Sequence, residues 1–340
     1  MVPSVQSTLR PFAILGTGHA LPPSVVWSAD LDAGLGLPAG AVEGAGGVRK
    51  RHFVDNHQTA AALGAEAARE AIKAGNLSFE DIDCLVAASG TMDQALPCNA
   101  ALIHRELALA PLSIPAFDVN ATCLGFIAAV DMLSWPLASG YYRRALIVAS
   151  DIASLGLNWN DLESSAIFGD GAAAAVVGSC GEHPGSRILA SDMITLSAGA
   201  ALCEIPGFGS RHHPGRSTPS GRGNLTTFRM DGKGVFRLVL SHLPQFVERL
   251  FASAGLSRED IDWIVPHQAS LPALSHLTKR LGFRNERVVN IFADYGNQVA
   301  ASLPTALDVA IRDGRIQRGH RVLLLGTGAG VSIGGLILEY

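Results

Sequence analysis

A nine-residue segment, Ser78-Phe-Glu-Asp-Ile-Asp-Cys-Leu-Val, recurs as Ser257-Arg-Glu-Asp-Ile-Asp-Trp-Ile-Val, 179 residues further on. Tyr142-Arg-Arg-Ala-Leu-Ile-Val likewise lines up with Gly319-His-Arg-Val-Leu-Leu-Leu at an offset of 177. Between these pairs each half carries a strand pattern, a few small or polar residues and then a helical pattern. Phe117-Asp-Val-Asn-Ala-Thr-Cys precedes Leu124 to Leu137, and Val288-Val-Asn-Ile-Phe precedes the stretch from Asn297 to Ile311. A nearly constant offset over three elements in order predicts two similar halves within the 340 residues. The halves are placed at 1–180 and 181–340, with 206–224 read as a long Pro-, Gly-, Ser- and Arg-rich surface loop.

Short Val-, Ile- and Leu-rich runs alternate with Ala-rich helical patterns, at Phe12 to Leu15, Cys84 to Ala87, Phe117 to Val119, Ala145 to Val148 and Ala172 to Val177. The second half adds Ile264-Val265, Val288 to Ile291, Val322 to Leu325 and Leu336 to Leu338. Nearly continuous apolar strands between helices mean α/β, with sheets covered on both faces. The formal charge is −4 and no basic cluster exceeds Arg49-Lys50-Arg51, which speaks against nucleic acid as a partner. Five cysteines, with no CxxC pair and no zinc spacing, fit neither a disulfide framework nor a metal site. No secretory leader pattern and no apolar run of about 18 residues is read. The expectation is a cytoplasmic protein without a membrane segment.

Cys123 follows a strand pattern and precedes an Ala-rich helix. That places it in the first helical turn, where free N–H groups and the positive helix end lower a thiol's pKa. A free cysteine more commonly packs as a small hydrophobe, and both readings stand on position alone. Cys84 lies mid-strand and reads as core, whereas Cys98, Cys180 and Cys203 have no comparable placement. His267 directly follows Trp263-Ile-Val-Pro, at a strand end of the kind that lines ligand crevices in α/β sheets, although a backbone-satisfied structural His fits equally well. His212 and His213 fall in the polar loop and read as solvated surface. Asn297, in Asp294-Tyr-Gly-Asn-Gln, occupies the second half's counterpart of the Cys123 turn; a turn-forming or capping Asn is the other reading.

Six passages in order resemble the β-ketoacyl-ACP synthase III family of condensing enzymes. They are Gly47-Val-Arg-Lys-Arg-His, Ala116-Phe-Asp-Val-Asn-Ala-Thr-Cys-Leu-Gly-Phe, Ile167-Phe-Gly-Asp-Gly-Ala-Ala-Ala-Ala-Val-Val, Val265-Pro-His-Gln-Ala-Ser, Tyr295-Gly-Asn-Gln-Val-Ala-Ala-Ser-Leu-Pro-Thr-Ala-Leu and Gly326-Thr-Gly-Ala-Gly. The resemblance implies a thiolase-like five-layered αβαβα fold, a homodimer, and a Cys-His-Asn triad at Cys123, His267 and Asn297. It also implies an oxyanion site at the Gly328-Ala329 turn and a substrate pocket touching Leu96, Phe168 and Ser270. The activity implied is acylation of Cys123 by an acyl thioester, followed by decarboxylative condensation with malonyl-ACP. Acyl-CoA or acyl-ACP is then a substrate, acyl carrier protein a partner, and no cofactor or metal is needed.

Departures from the family's pattern bear on the substrate. Ala45-Gly46 and Leu162 stand where the family carries CoA-contacting Trp and Arg residues, which favours a carrier-protein donor or a looser acyl-CoA site. Ser270 replaces an Asn, and Pro272 replaces a docking Arg, leaving Lys279 and Arg280 as basic candidates for an acidic partner. Leu96 replaces an aromatic that gates the acyl pocket from the partner subunit, so a pocket roomier than one for acetyl is expected. Transfer of the same acyl group to an oxygen or nitrogen acceptor, long-chain acyl condensation, and thiol hydrolysis are the alternatives that use these residues.

Overall fold

The structure, a computed structural model, describes residues 9–207, 209–210 and 225–340. His212, His213 and most of the 206–224 loop lie outside the described residues.

In chain order the strands of the first half are β1 (Arg10–Pro11), β2 (Ala13–Ala20), β3 (Ser24–Trp27), β4 (Lys50–Phe53), β5 (Cys84–Ala87), β6 (Ala116–Asp118), β7 (Arg144–Asp151) and β8 (Gly171–Gly178). There follow β9 (Arg187–Thr195), β10 (Cys203–Glu204), β11 (Arg229–Met230), β12 (Trp263–Pro266), β13 (Arg321–Gly328) and β14 (Ser332–Glu339). One five-stranded sheet runs β2-β8-β7-β5-β6 and the other β1-β9-β14-β13-β12. From β2 and from β9 the pairings take the same directions: antiparallel, antiparallel, then parallel. β1, from the start of the chain, belongs to the second of these sheets.

The repeated segments fold identically in detail. Ser78 and Ser257 each open an exposed 3-10 turn with a capping box closed by Asp81 and Asp260, which pairs amides at the start of the turn that have no partner within it. Asp83 then accepts the Arg143 and Arg144 amides, as Asp262 accepts that of Arg321, so each turn aims its strand into the same place in its sheet.

Helices Gly125–Ala138 and Ser302–Arg312 lie between the two sheets. Their Leu124, Phe126, Ile127, Leu303 and Leu307 share one buried cluster with Val86 and Ile147 of one sheet and Val265, Leu324 and Leu336 of the other. Helix Ala60–Ala74 covers the outer face of the first sheet and helix Gly232–Ala254 that of the second. The result is five layers, αβαβα. Alanine sets the close spacing: Ala61, Ala65, Ala67, Ala68 and Ala71 are buried in the cluster this helix shares with β8, and the backbones of Ala67 and Ala71 lie against Gly16 and Gly18 of β2.

One expected strand is absent: Val288 to Ile291 makes only a single bridge, Val288 to Ile264. The buried Gln268 side chain takes over the pairing. Its Nε2 donates to Pro266 and Val289 carbonyls, and its Oε1 accepts the Ile291 amide, which ends the ladder after one rung.

The helix-to-sheet contact is close enough to test. A Cβ added at Gly16 of β2 would lie 2.3 Å from the Ala71 carbonyl oxygen and 2.5 Å from the Gly75 nitrogen, both backbone atoms. Gly16→Ala is expected to cost about 1–3 kcal/mol in urea unfolding; an unchanged midpoint would show that helix and strand separate freely.

Candidate active site

Cys123, His267 and Asn297 come from different strand exits, and the structure gathers their backbones across the central layer. An added Cβ at Gly326 of β13 would lie 2.9 Å from His267 Cβ and 3.0 Å from Leu124 Cδ2. At Gly328 it would lie 2.7 Å from Thr122 Oγ1. The absence of a side chain at Gly326 and Gly328 is what lets the Thr122-Cys123-Leu124 turn dock beside His267.

The nucleophile's position differs from the expectation. The helix begins at Gly125 with Leu124 as its N-cap, so Cys123 precedes the cap and is not in the first turn. Thr122 adopts φ +50, a left-handed conformation that a β-branched residue holds only under tertiary constraint. The Thr122 amide donates to Asn120 Oδ1, and its hydroxyl donates to the Ala121 and Ala329 carbonyls. Burial pushes the Cys123 thiol's pKa upward, helped by the half-buried Cys203 thiol and by Asp151. This overturns the lowered pKa expected from a helix N-terminus: desolvation and nearby anionic groups outweigh the backbone. The amides of Ala329 and of Cys123 itself oppose that trend by hydrogen bonding to the sulfur. Two N–H groups therefore converge where negative charge would develop. Cys203, which had no placement from sequence, sits in β10, and burial raises its thiol to about 11.

His267 is 5% exposed, its amide donates to the Leu325 carbonyl at 2.8 Å, and its carbonyl accepts the Ala269 amide. Burial alone lowers its pKa to about 4, so the ring is neutral at physiological pH. Among the described residues nothing takes up its buried Nδ1. Asn297 is held at both ends. Its amide donates to Ile167 at 2.7 Å and its carbonyl accepts the Gly169 amide at 3.1 Å, a bridge to the Ile167-Phe-Gly passage of the first half. Its Oδ1 accepts the Val299 amide at 2.9 Å and Ser302 Oγ at 3.3 Å, while Nδ2 has only a long 3.4 Å contact to the Ala269 carbonyl. With the oxygen tied off, Nδ2 is the end left to donate.

The remaining candidates are less uniform. Phe168 is buried and meets Phe228 edge to face at 5.0 Å. Ser270 caps helix Leu271–Arg280 through the Ala273 amide. Leu96 is 83% exposed on the surface of the single chain, and Leu162 opens the short helix Leu162–Ser165. Gly47 is packed against Leu271, whose Cδ1 would lie 2.3 Å from an added Cβ. Lys279 is exposed; the Arg280 side chain lies outside the described residues. Among the described residues no group of three His, Cys, Asp or Glu side chains could hold a metal ion, and no helix is long and apolar enough to cross a membrane.

Sequence reasoning quoted Arg51 without giving it a task. It is fully buried and donates to the Ala166 carbonyl at 2.6 Å, Ser28 Oγ at 2.6 Å and the Val48 carbonyl at 3.2 Å. Burial without a carboxylate lowers its pKa to about 10. It anchors the strand that bridges to Asn297, and the only signal was its place in the Gly47-Val-Arg-Lys-Arg-His passage.

The neutral histidine gives a pH prediction. The unfolded imidazole takes a proton near pH 6.5 and the folded one near 4. Its stabilising contribution is therefore complete above 6.5 and is lost as the pH falls toward 4. By pH 5 the loss is about 2 kcal/mol. Between pH 7 and 5, the unfolding free energy of His267→Asn should gain about that much relative to the unsubstituted chain; a pH-independent difference would contradict a buried neutral ring.

Comparison with known proteins gives consistent results along the chain. Residues 117–197 match the family described as 3-oxoacyl-[acyl-carrier-protein (ACP)] synthase III, and residues 251–340 match its C-terminal counterpart. The β-ketoacyl-[acyl-carrier-protein] synthase III of Thiobacillus denitrificans is 35% identical over 327 residues, covering 96% of this chain and 98% of the relative. The crystal structure of 3-oxoacyl-(acyl carrier protein) synthase III from Pseudomonas aeruginosa superposes with a TM-score of 0.84 at 30% identity, covering 97% of this chain and 98% of that one. Xanthomonas campestris OleA gives 0.82 at 24% identity, covering 98% of this chain and 100% of that one, and shares the fold. With both segments matched in order and a relative alike across nearly the whole of both chains, the protein belongs to the 3-oxoacyl-[acyl-carrier-protein] synthase III family.

Proposed function

We propose that the protein is an acyltransferase that loads an acyl group onto Cys123 and condenses it with malonyl-ACP to a 3-oxoacyl-ACP. The observation that carries the reading is the convergence of the Cys123 and Ala329 amides on the Cys123 sulfur. In the acylation step Cys123 attacks the thioester carbonyl and the two amides hold the oxyanion as the carbon becomes tetrahedral. The raised thiol does not ionise beforehand, so its proton leaves during attack: neutral His267 accepts it and returns it to the departing thiolate. In the second step Asn297 Nδ2 and the His267 ring donate to the malonyl thioester oxygen, CO2 leaves, and the resulting enolate carbon attacks the acyl carbonyl. The C–S bond to Cys123 then breaks, and the departing Cys123 thiolate takes a proton from solvent to restore the thiol. Loss of CO2 needs no base, only donors that spread the enolate charge.

Acyl-CoA or acyl-ACP enters as substrate, and the chemistry draws on no bound cofactor or metal. Ala45, Gly46 and Leu162 place no aromatic or guanidinium group at those three positions to clamp an adenine, which favours a carrier-bound donor, with Lys279 as a basic contact for it. Pairing as a homodimer is supported by β6, a sheet edge with half-exposed Phe117 and with Met92 and Leu96 exposed on the chain leading to it. Leu96 would then reach the partner's acyl pocket, where an aliphatic side chain admits a longer acyl group than an aromatic one.

Intact-protein mass after exposure to acyl-CoA and acyl-ACP panels should show one acyl adduct, lost in Cys123→Ala; an adduct that persists in that variant overturns the assignment. Asn297→Asp removes the Nδ2 donor and adds negative charge, so CO2 release should fall at least about a hundredfold while acylation falls far less. Equal loss in both half-reactions would remove Asn297 from the donor pair. Phe117→Asp should yield a monomer by light scattering; an unchanged mass would place the subunit contact elsewhere.

A further inference from the structure

Asp151 ends β7 and is fully buried. Its Oδ1 accepts the Gly90 amide at 2.9 Å, the Thr91 amide at 2.7 Å and Thr91 Oγ1 at 3.0 Å; its Oδ2 accepts the Ala301 amide at 3.2 Å. Three donors thus come from the loop that leaves β5, and the fourth from the turn after Asn297 in the other half. Burial raises its pKa to about 7 against these four hydrogen bonds. A buried carboxylate held by donors alone is a costly way to join two segments, and an apolar contact would be cheaper if only adhesion were needed.

The surroundings show what the carboxylate holds. A Cβ added at Gly90 would lie 2.7 Å from Val299 Cγ1 and 3.4 Å from the Thr122 carbonyl carbon. The Gly90–Thr91 loop is therefore wedged between the residue before Cys123 and the residue that donates to Asn297 Oδ1. Thr122 at φ +50 and Val299 at φ +53 are both β-branched residues in the left-handed region. Such conformations persist only where neighbours enforce them. Asp151 touches the loop packed between these two turns and also bonds the second turn directly.

We propose that Asp151 is a positioning residue for the condensation half-reaction: by clamping the Gly90–Thr91 loop to the Ala301 amide, it sets the Asn297 donor relative to Cys123. It rests on the condensation reading above. Cys123 takes its oxyanion donors from its own amide and Ala329, neither of which Asp151 hydrogen-bonds, and the Asp151 charge only hinders ionisation of the Cys123 thiol, so loosening the clamp should cost acylation far less than condensation.

The test is Asp151→Asn, assayed separately for acyl adduct formation by intact mass and for CO2 release from labelled malonyl-ACP. An Asn whose oxygen keeps the Gly90 and Thr91 donors turns its Nδ2 toward the Ala301 N–H, two donors face to face, and the Asn297 turn is released. CO2 release should fall roughly ten- to a hundredfold, as for a misplacement of about 1 Å, while acylation, relieved of the Asp151 charge near the Cys123 thiol, falls by no more than about threefold or rises. Thr91→Val removes the hydroxyl that donates to Asp151 and accepts the Ile152 amide, leaves both backbone donors to Asp151 in place, and should shift the same ratio by about threefold, so the test survives if Asp151→Asn does not fold. Equal loss of both half-reactions in the folded variants, or loss of neither, overturns the proposal. If the unsubstituted protein forms the adduct but releases no CO2 with any primer, the condensation reading itself fails, and the proposal with it.

Discussion

Everything in this molecule depends on sealing two helices between two sheets. Helices Gly125–Ala138 and Ser302–Arg312 bury residues against both sheets at once, in a cluster that draws on Val86 and Ile147 on one side and Val265, Leu324 and Leu336 on the other. The N-terminal turns of both helices are almost wholly buried, with Met132 and Trp135 exposed only further along the first, so the chain must enter the layer through tight turns of fixed geometry. The two entry turns carry Cys123 and Asn297. Their left-handed Thr122 and Val299 are a local consequence of that constraint, and Gly326 and Gly328 supply the room it requires on the facing strand.

The same sealing governs the electrostatics. Around Cys123 the titratable neighbours are another thiol and a carboxylate, and the imidazole of His267 is kept neutral by burial. A thiolate held in waiting is disfavoured here. What the chamber offers is a set of fixed donors: the Cys123 and Ala329 amides at the sulfur, and an Asn297 whose oxygen is tied off so that its nitrogen faces outward. Donors of this kind gain strength as water is excluded and need no reorganisation when charge forms on a thioester oxygen. A site with this character favours reactions that pass through oxyanions and enolates, which is the chemistry of family members that condense acyl thioesters.

Supporting polar groups are spent sparingly and at junctions. Arg51 binds carbonyls of the Ala166–Phe168 segment, Gln268 replaces a missing strand, and Asp151 spans both halves. Each substitutes side-chain hydrogen bonds where no sheet ladder can reach. Burial without such partners would leave backbone carbonyls and amides unpaired at those points.

Much of this was legible in the sequence. The 179-residue repeat carried its own caps, since Ser-x-x-Asp followed by Ile-Asp encodes a turn by short-range hydrogen bonds that need no tertiary help. Cys123, His267 and Asn297 were legible as residues at strand exits and within family passages, because a repeating α/β pattern brings such exits together. The run Val288 to Ile291 shows the limit: its apolar pattern reads as a strand, yet Gln268, twenty residues away, takes its pairing. The state of the Cys123 thiol shows the same limit. Helix-dipole reasoning uses only neighbours in sequence, whereas the direction of the shift came from burial, Cys203 and Asp151. Local hydrogen bonding and periodicity are written along the chain, and the sequence determined the elements and their repeat. Desolvation and long-range charge depend on what packs around a group from every side, and only the tertiary structure decided those.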